Sequence, residues 1–294
     1  MKAGLPSAMA ALPVDALRPV KTARTRRSRI LTQVAGLCAG LMALTAQAAF
    51  QVVDNFDTLQ LGSINEQNGW NVSLTSADVV QDPSDGNNQS LQVSTESGTL
   101  YKAESIPQGA TRMLFLRLRF EEHGRYSFGF SHLLNPDEYS DFGPELGMAA
   151  ETAGDPNNDF YVANGSTTGI YDVLNTLEPD TWYNTWVLID NTSNTYQVWM
   201  NSDPGGAAHA TDQLENSAAE DLFGFRTATE KDLVNFFVKT GGGNSPVNGR
   251  FYIDDIYLED TDKVNLDNPL GSGEPGTGSD AMWLPPMLLF LLDD

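Results

Sequence analysis

The stretch FYIDDIYL, residues Phe251 to Leu258, decides the fold of this chain. Its aromatic and branched apolar residues are typical of a β-strand, yet Asp254 and Asp255 stand next to each other in its middle. Side chains alternate between the two faces of a strand, so one of the two carboxylates must point toward a packed face. Because an unpaired buried carboxylate is strongly unfavourable, we expect a cation or a set of hydrogen-bond donors to meet it.

The chain between residues 50 and 260 repeats this β pattern. Short alternating or aromatic-rich runs, such as RMLFLRLRF (112–120) and TYQVWM (195–200), are separated by turn-rich pieces such as NSDPGG. Eleven or more such runs, in a segment without cysteine and with little helical spacing, predict an all-β fold. We expect two antiparallel sheets packed as a jelly-roll β-sandwich.

The first 48 residues are predicted to be a cleaved signal peptide. A basic stretch (21–29) precedes an apolar run (30–48), which ends in Ala-Gln-Ala, the small-x-small pattern of a signal-peptidase site. A membrane anchor is the alternative, because the apolar run approaches spanning length. The cleavage pattern favours export, and therefore a secreted or cell-surface location of the Gram-negative type.

The C-terminal part is predicted to lie outside the sandwich, which we place at residues 49–263. A Gly/Ser/Pro linker follows at 264–280, and the short apolar tail AMWLPPMLLFLLDD occupies 281–294. The tail resembles the C-terminal sorting tails of Gram-negative surface proteins but lacks their basic end, so a degenerate sorting signal and a truncated tail are both open. Its apolar part is too short to cross a bilayer, so we expect no stable membrane span in the mature chain.

The charge of the mature chain excludes one class of partner. Seven of the 17 basic and one of the 39 acidic residues precede residue 49, which leaves 10 basic against 38 acidic residues, a net charge of −28. Such a protein repels DNA, RNA and anionic membranes. The single cysteine, Cys38, lies in the signal segment, so the mature chain has no disulfide and no cysteine-based metal site.

Three stretches resemble the concanavalin A-like jelly rolls: DNFDTLQLGSINEQNGW (54–70), the strand pair at 181–200, and FYIDDIYL. This superfamily includes laminin-G-like and legume-lectin-like modules, family-16 glucanases, and alginate and glucuronan lyases. The resemblance covers nearly all of residues 50–260 and implies a carbohydrate-related function, although a likeness of fold does not fix function.

The resemblance also implies that the first and last strands lie side by side, which suggests a calcium site. This pairing would bring Asp54 and Asp57 near Asp254 and Asp255. Carboxylate and carbonyl oxygens without sulfur or imidazole suit Ca²⁺, and related carbohydrate-binding jelly rolls carry a structural calcium at a comparable place. The alternative is that one aspartate faces solvent while the other accepts backbone N–H groups.

A ligand surface is predicted on the strand at 112–120. Alternation puts Arg117 and Arg119 side by side on one face, where their guanidinium groups could bind carboxylates. Aromatic rings on neighbouring strands could stack on sugars. The predicted ligand-binding residues are Arg117, Arg119, Trp186, Gln197 and Trp199. The alternative is that the arginines pair with carboxylates across strands and that the tryptophans belong to the core.

The sequence shows no catalytic motif. Glycoside hydrolysis needs two carboxylates at a fixed distance, and the acidic stretch DEYSDFGPE (137–145) is expected to be a loop because Pro144 interrupts it. A polysaccharide lyase needs a cation for the uronate carboxylate and a Tyr or His for the proton. The candidates are Arg117 and Arg119 for the cation, and His132, Tyr126 and Tyr139 for the base or acid.

We therefore predict a non-catalytic, lectin-like module that binds an extracellular polysaccharide and holds a structural calcium. A polysaccharide lyase acting on an acidic glycan such as alginate is the alternative.

Overall fold

The computed structural model describes residues 49–73, 76–94, 97–121, 124–149, 159–165, 171–241, 249–260 and 262–271. They belong to the compact unit Ala46–Asp294. The predicted signal peptide and apolar tail lie outside the described residues. Two antiparallel sheets pack face to face, which confirms the predicted jelly-roll β-sandwich. Among the residues that the structure describes, no helix is long and apolar enough to cross a membrane.

Sixteen strands and three short 3₁₀ helices make up the described chain. The 3₁₀ helices span Gln67–Gly69, Tyr139–Asp141 and Ala210–Asp212. The strands are β1 (Gln51–Asp54), β2 (Gly62–Ser63), β3 (Trp70–Val72), β4 (Ala77–Gln81), β5 (Gln89–Ser94), β6 (Gly98–Ile106), β7 (Thr111–Phe120), β8 (Tyr126–Ser131), β9 (Phe142–Ala149), β10 (Asp159–Ala163), β11 (Tyr171–Thr176), β12 (Tyr183–Asp190), β13 (Thr195–Asn201), β14 (Phe223–Gly224), β15 (Leu233–Thr240) and β16 (Arg250–Asp260).

The nine-stranded sheet has the order β14-β13-β12-β7-β16-β5-β4-β2, with β1 also paired to β16. The seven-stranded sheet has the order β11-β10-β9-β8-β15-β6-β3. Alternation along the strands fills the space between the sheets: Leu114, Leu116 and Leu118 of β7 and Phe128 and Phe130 of β8 are buried in this core. The opposite face of each sheet therefore carries the residues in between.

The first and last strands pair, as the resemblance implied. β1 runs antiparallel to β16, with Gln51 opposite Leu258. The same edge of β16 pairs with β5 over Arg250–Ile253, so β16 changes partner in its middle. At this change the register with β7 shifts between Asp254 and Tyr257, which is a β-bulge. The two adjacent carboxylates therefore sit where the strand is locally irregular.

A second apolar cluster lies on the outer face of the nine-stranded sheet and is covered by residues 262–271, here called the C-terminal strap. Leu266 and Leu270 of the strap pack against this cluster. The indole Nε1 of Trp186 donates to the carbonyl of Asp267 at 3.0 Å, and the amide of Ala208 donates to the carbonyl of Leu266 at 2.9 Å. The packed domain therefore continues to about Gly271, past the boundary at 263 that composition suggested.

Candidate functional site

A buried carboxylate, Glu145, lies on the outer face of the seven-stranded sheet. Its neighbour Leu146 points into the core, so alternation along β9 turns Glu145 outward. Its Oε2 accepts a hydrogen bond from Arg226 Nη1 at 2.6 Å, and its Oε1 accepts one from Ser127 Oγ at 2.9 Å. Burial raises the pKa of Glu145, while Arg226 and Ser127 act in the opposite direction. The carboxylate therefore holds the Nη1 edge of the Arg226 guanidinium in place.

Two guanidinium groups converge on the hydroxyl of Tyr171, which lies on the edge strand β11. The hydroxyl oxygen accepts from Arg226 Nη1 at 2.6 Å and from Arg125 Nη2 at 3.3 Å. The ring of Tyr161 lies edge-on to the ring of Tyr171, with centroids 4.3 Å apart. Since Arg125 and Tyr171 are both partly exposed, this hydroxyl stands where solvent or a ligand can reach it.

Cations also surround Tyr139, from the segment between β8 and β9. Arg125 lies over its ring at 4.0 Å, and Lys239 at 5.4 Å. The hydroxyl of Tyr139 donates to the carbonyl of Gly241 at 2.6 Å, and burial strongly raises the pKa of this phenol. Tyr139 is therefore a neutral, fixed ring that holds cations in place.

These groups form one site, here called the tyrosine–arginine cluster. Three of the ten basic residues after residue 48 gather on one sheet face, with one carboxylate buried among them. Its members are Arg125, Tyr139, Glu145, Tyr171, Arg226 and Lys239.

Of this cluster, sequence reasoning named only Tyr139, as a candidate base or acid of a lyase. Pro144 led to the expectation of a loop at 137–145, but β9 begins at Phe142 and includes the proline. The alternation of Glu145, Leu146, Gly147 and Met148 was the one local signal for a strand. The other members come from distant parts of the chain, and no spacing in the sequence relates them.

The predicted arginine pair is engaged by carboxylates, as the alternative held. Arg117 Nη1 lies 3.3 Å from Asp255 Oδ2. Arg119 Nη2 lies 2.6 Å from Asp180 Oδ1. Both guanidinium groups also lie over aromatic rings on the outer face of the nine-stranded sheet: Arg117 over Trp182 at 4.8 Å, and Arg119 over Tyr252 at 5.1 Å.

The predicted tryptophans share that sheet face but do not line an open groove. Trp186 is 0% exposed and Trp199 is 3% exposed, because both belong to the apolar cluster beneath the C-terminal strap. Gln197 is partly exposed and lies one position along the same face from Trp199. The five predicted ligand residues are therefore on one surface, as alternation indicated, but the strap and the ion pairs close most of it.

The residues named for a lyase are not brought together in one site. Tyr126 is fully buried between the sheets and stacks on Phe251, with ring centroids 4.9 Å apart. His132 follows the end of β8, and burial together with Lys231 lowers its pKa. Arg117 and Arg119 lie on the other sheet. The structure thus offers no common site for this set.

Of the four predicted calcium ligands, Asp54 is already surrounded by hydrogen-bond donors from the protein itself. Its carboxylate accepts from Lys102 Nζ at 3.1 Å, from Trp70 Nε1 at 2.8 Å, from Asn68 Nδ2 at 2.9 Å, and from the amide of Phe56 at 3.0 Å. This set explains the buried carboxylate without a metal ion.

Asp254 and Asp255 form a buried acidic pair in the bulge of β16. Asp254 accepts from Asn88 Nδ2 at 2.8 Å and from the Asp255 amide at 2.8 Å. Burial raises the pKa of Asp255 to about 6, against the attraction of Arg117. Burial and the neighbouring Asp255 carboxylate also raise the pKa of Asp254. Asp57 is close enough to raise the pKa of Asp255 further. Within the described residues, however, no three His, Cys, Asp or Glu side chains converge as a metal site.

No protein-family model matches the sequence, and the search of curated proteins gave no match. Among solved structures, the chain is similar to a sialidase, with 14% identity and a TM-score of 0.48 over 73% of this chain. This similarity spans only 19% of the sialidase chain.

Two other similarities extend over most of the compared chain. The catalytic domain of a glycoside hydrolase family 131 protein from Coprinopsis cinerea gives 12% identity and a TM-score of 0.49, covering 76% of this chain and 98% of that one. The VIP36 exoplasmic/lumenal domain in its Ca²⁺/Man-bound form gives 11% identity and a TM-score of 0.42, covering 67% and 85%. Similarities this distant carry no conclusion about function, and the superfamily assignment stays a prediction.

Proposed function

We propose that this protein is a carbohydrate-binding module that takes an acidic extracellular polysaccharide at the tyrosine–arginine cluster. The observation that carries the proposal is the charge distribution. In a chain with a net charge of −28 after residue 48, three cations gather around the buried Glu145 carboxylate on one sheet face. Such a local excess of positive charge on a negatively charged protein suits a ligand with carboxylate groups.

The geometry of the cluster gives each group a role in this proposal. Arg125 is partly exposed, and no carboxylate lies within ion-pair distance of its guanidinium among the described residues, so it is free to meet a uronate group. Glu145 neutralises part of the charge of Arg226 and orients it. Tyr171 offers its ring edge and hydroxyl at the border of the sheet, where a sugar ring could pack.

Arg125→Gln tests the proposal against a matched control, Arg250→Gln. Arg250 is also an arginine, but it is largely exposed on the nine-stranded sheet and lies 3.6 Å from Glu121. Both variants change the net charge equally. We expect retention on alginate and polygalacturonate to fall about tenfold for Arg125→Gln and to stay unchanged for Arg250→Gln. Equal retention of both variants, or tighter retention on neutral glucans than on uronate polymers, would refute the proposal.

A polysaccharide lyase remains the second candidate, now at this cluster. The observation in its favour is the Tyr171 hydroxyl, which accepts hydrogen bonds from two guanidinium groups at the border of the sheet. In this reaction the deprotonated oxygen of Tyr171 takes the C5 proton of a uronate. A C4–C5 double bond forms, the C4–O bond breaks, and the proton passes to the leaving oxygen. Ultraviolet absorbance of unsaturated products from a uronate polymer, lost in Tyr171→Phe, would make the protein an enzyme. Binding without products would retire this candidate.

We also propose that the acidic pair holds a calcium ion with a reduced set of ligands. Asp54 is left out because Lys102 neutralises it. Asp254 and Asp255 remain as the two carboxylate ligands, with backbone carbonyls completing the oxygen shell. The excess of buried negative charge around Arg117 supports the proposal. If it holds, EDTA lowers the melting temperature and added Ca²⁺ restores it. An unchanged melting curve would remove the calcium site.

The location proposed for this activity is outside the cytoplasm, at or beyond the cell surface. The signal pattern in residues 1–48 supports it. Detection of the mature chain beginning near Ala49 in an extracellular fraction would test it.

A further inference from the structure

A cavity of about 170 Å³ opens on the outer face of the nine-stranded sheet, apart from both sites described above. It lies where β7 and β13 begin, where β12 ends, and where the C-terminal strap starts. Its volume equals that of roughly five or six water molecules and is below the range of drug-sized pockets, so it suits one small ring. It is lined by Thr111, Leu188, Asp190, Thr195, Gln197 and Leu222, with Asp262 and Tyr196 completing the wall.

The cavity offers polar groups that the fold does not use. The side-chain amide of Gln197 makes no hydrogen bond within the described part of the chain. An amide presents both a donor and an acceptor, which matches two neighbouring hydroxyl groups. Asp262 is exposed at the start of the strap and adds a carboxylate acceptor. These groups face one small volume from two different elements.

The cavity also has an apolar side. Leu222 is 54% exposed, although it lies against the cavity, and Leu188 forms part of the same lining. An exposed leucine beside free hydrogen-bonding groups gives the mixed surface on which a sugar ring packs its C–H groups. This combination is typical of small-molecule sites, which pair apolar walls with a few polar groups.

Charge decides which ligands fit. Asp190 and Asp262 both border the cavity, so an anion is repelled. The oxygens of Asp190 are engaged in the following turn, where they accept from Thr192 N at 2.7 Å and from Ser193 Oγ at 2.7 Å. A cation would therefore meet one free carboxylate, Asp262. A neutral ligand rich in hydroxyl groups matches the free amide and this carboxylate together.

We propose that this cavity is a second saccharide site, which binds a single neutral sugar residue through Gln197 and Asp262. It does not depend on the tyrosine–arginine cluster, which lies on the other sheet and for which we propose an anionic rather than a neutral ligand. The two sites would let one domain contact two chemically different parts of a polysaccharide.

The test is a titration of the purified protein with methyl glycosides of neutral hexoses, followed by the backbone amide NMR signals around Gln197. Glucuronate and glucosamine serve as charged comparisons. We expect at least one neutral glycoside to shift these signals at millimolar concentration. Gln197→Ala should weaken binding about tenfold, and Asp262→Asn should also weaken it because a neutral amide is the poorer acceptor. Asp262 is exposed and outside any strand, so this second variant keeps the test valid if Gln197→Ala destabilises the protein.

Gln108→Ala is the matched control, because Gln108 is an exposed glutamine that does not line the cavity. It should bind like the parent protein. No shift with any neutral glycoside, an equal affinity for glucuronate at these signals, or the same loss in Gln108→Ala would each overturn the proposal.

Discussion

Replacing Asp255 with asparagine should stabilise the metal-free protein at neutral pH. Burial raises the pKa of Asp255 from 3.8 to about 6 in the folded state. Between these two values the folded state binds more protons than the unfolded state, so stability falls as the pH rises from about 4 to about 6. A shift of about two pKa units corresponds to about 3 kcal/mol of lost stability at pH 7. This value already includes the attraction of Arg117, which is one cause of the pKa itself.

Asparagine is the right substitute for two reasons. It resembles the protonated carboxyl group in shape, so it keeps one acceptor for Arg117 without the charge. Asp255 also has a φ of 52°, and asparagine tolerates this left-handed conformation better than most residues. We therefore expect Asp255→Asn to gain between about 1 and 3 kcal/mol at pH 7 and to lose the part of the pH dependence between about pH 4 and 6 that Asp255 causes.

Urea unfolding in EDTA, followed by tryptophan fluorescence at pH 4 and pH 7, measures this effect. Asp137→Asn on an exposed turn is the control and should leave both midpoints unchanged. The reasoning would be refuted if Asp255→Asn were less stable than the parent protein at pH 7 and if its stability changed with pH as steeply as that of the parent protein. Repeating the measurement with Ca²⁺ separates the calcium proposal: the parent protein should gain stability from the ion, and the variant should gain much less.

Three further predictions follow from the packing. Ending the chain after Asp262 should cost about 3 kcal/mol, because Leu266 and Leu270 leave the apolar cluster, and the tryptophan emission should shift to the red. Lys102→Met should cost about 3–5 kcal/mol in urea unfolding, because the Asp54 carboxylate stays buried without its cation, and adding Asp54→Asn should recover part of this loss. Glu145→Gln should strengthen retention on uronate polymers without abolishing folding, since the cluster then loses its buried negative charge while Arg226 keeps a hydrogen-bond partner.

The sequence predicted the fold well because the fold rests on local alternation. The period of two in RMLFLRLRF placed Leu114, Leu116 and Leu118 in the core, where they are. The same period placed Arg117 and Arg119 on the opposite face. Their pairing with carboxylates was predicted as the alternative to ligand binding. These features need only a strand and its immediate neighbours.

The site was harder to predict because it depends on register between distant strands. Arg226 and Tyr171 are 55 residues apart and meet only after β9, β10 and β11 are aligned. The burial of Trp186 and Trp199 was predicted only as the alternative, because most of the strap was assigned to a linker by composition. Its two leucines are too few to show a period, and their role comes from the tryptophans beneath them.

The net charge of the chain leads to a salt dependence that separates this site from an ordinary basic surface. A protein with a net charge of −28 after residue 48 repels an acidic polysaccharide at long range, while Arg125, Arg226 and Lys239 attract it at contact. The Debye length falls from about 30 Å at 0.01 M salt to about 8 Å at 0.15 M, so moderate salt screens the repulsion more than the contacts. Affinity for alginate measured by calorimetry should therefore rise over this interval and fall only at higher salt. If the affinity instead decreased steadily from the lowest salt concentration, a cationic surface would dominate the interaction at all distances. The distribution of charge on this chain contradicts that outcome.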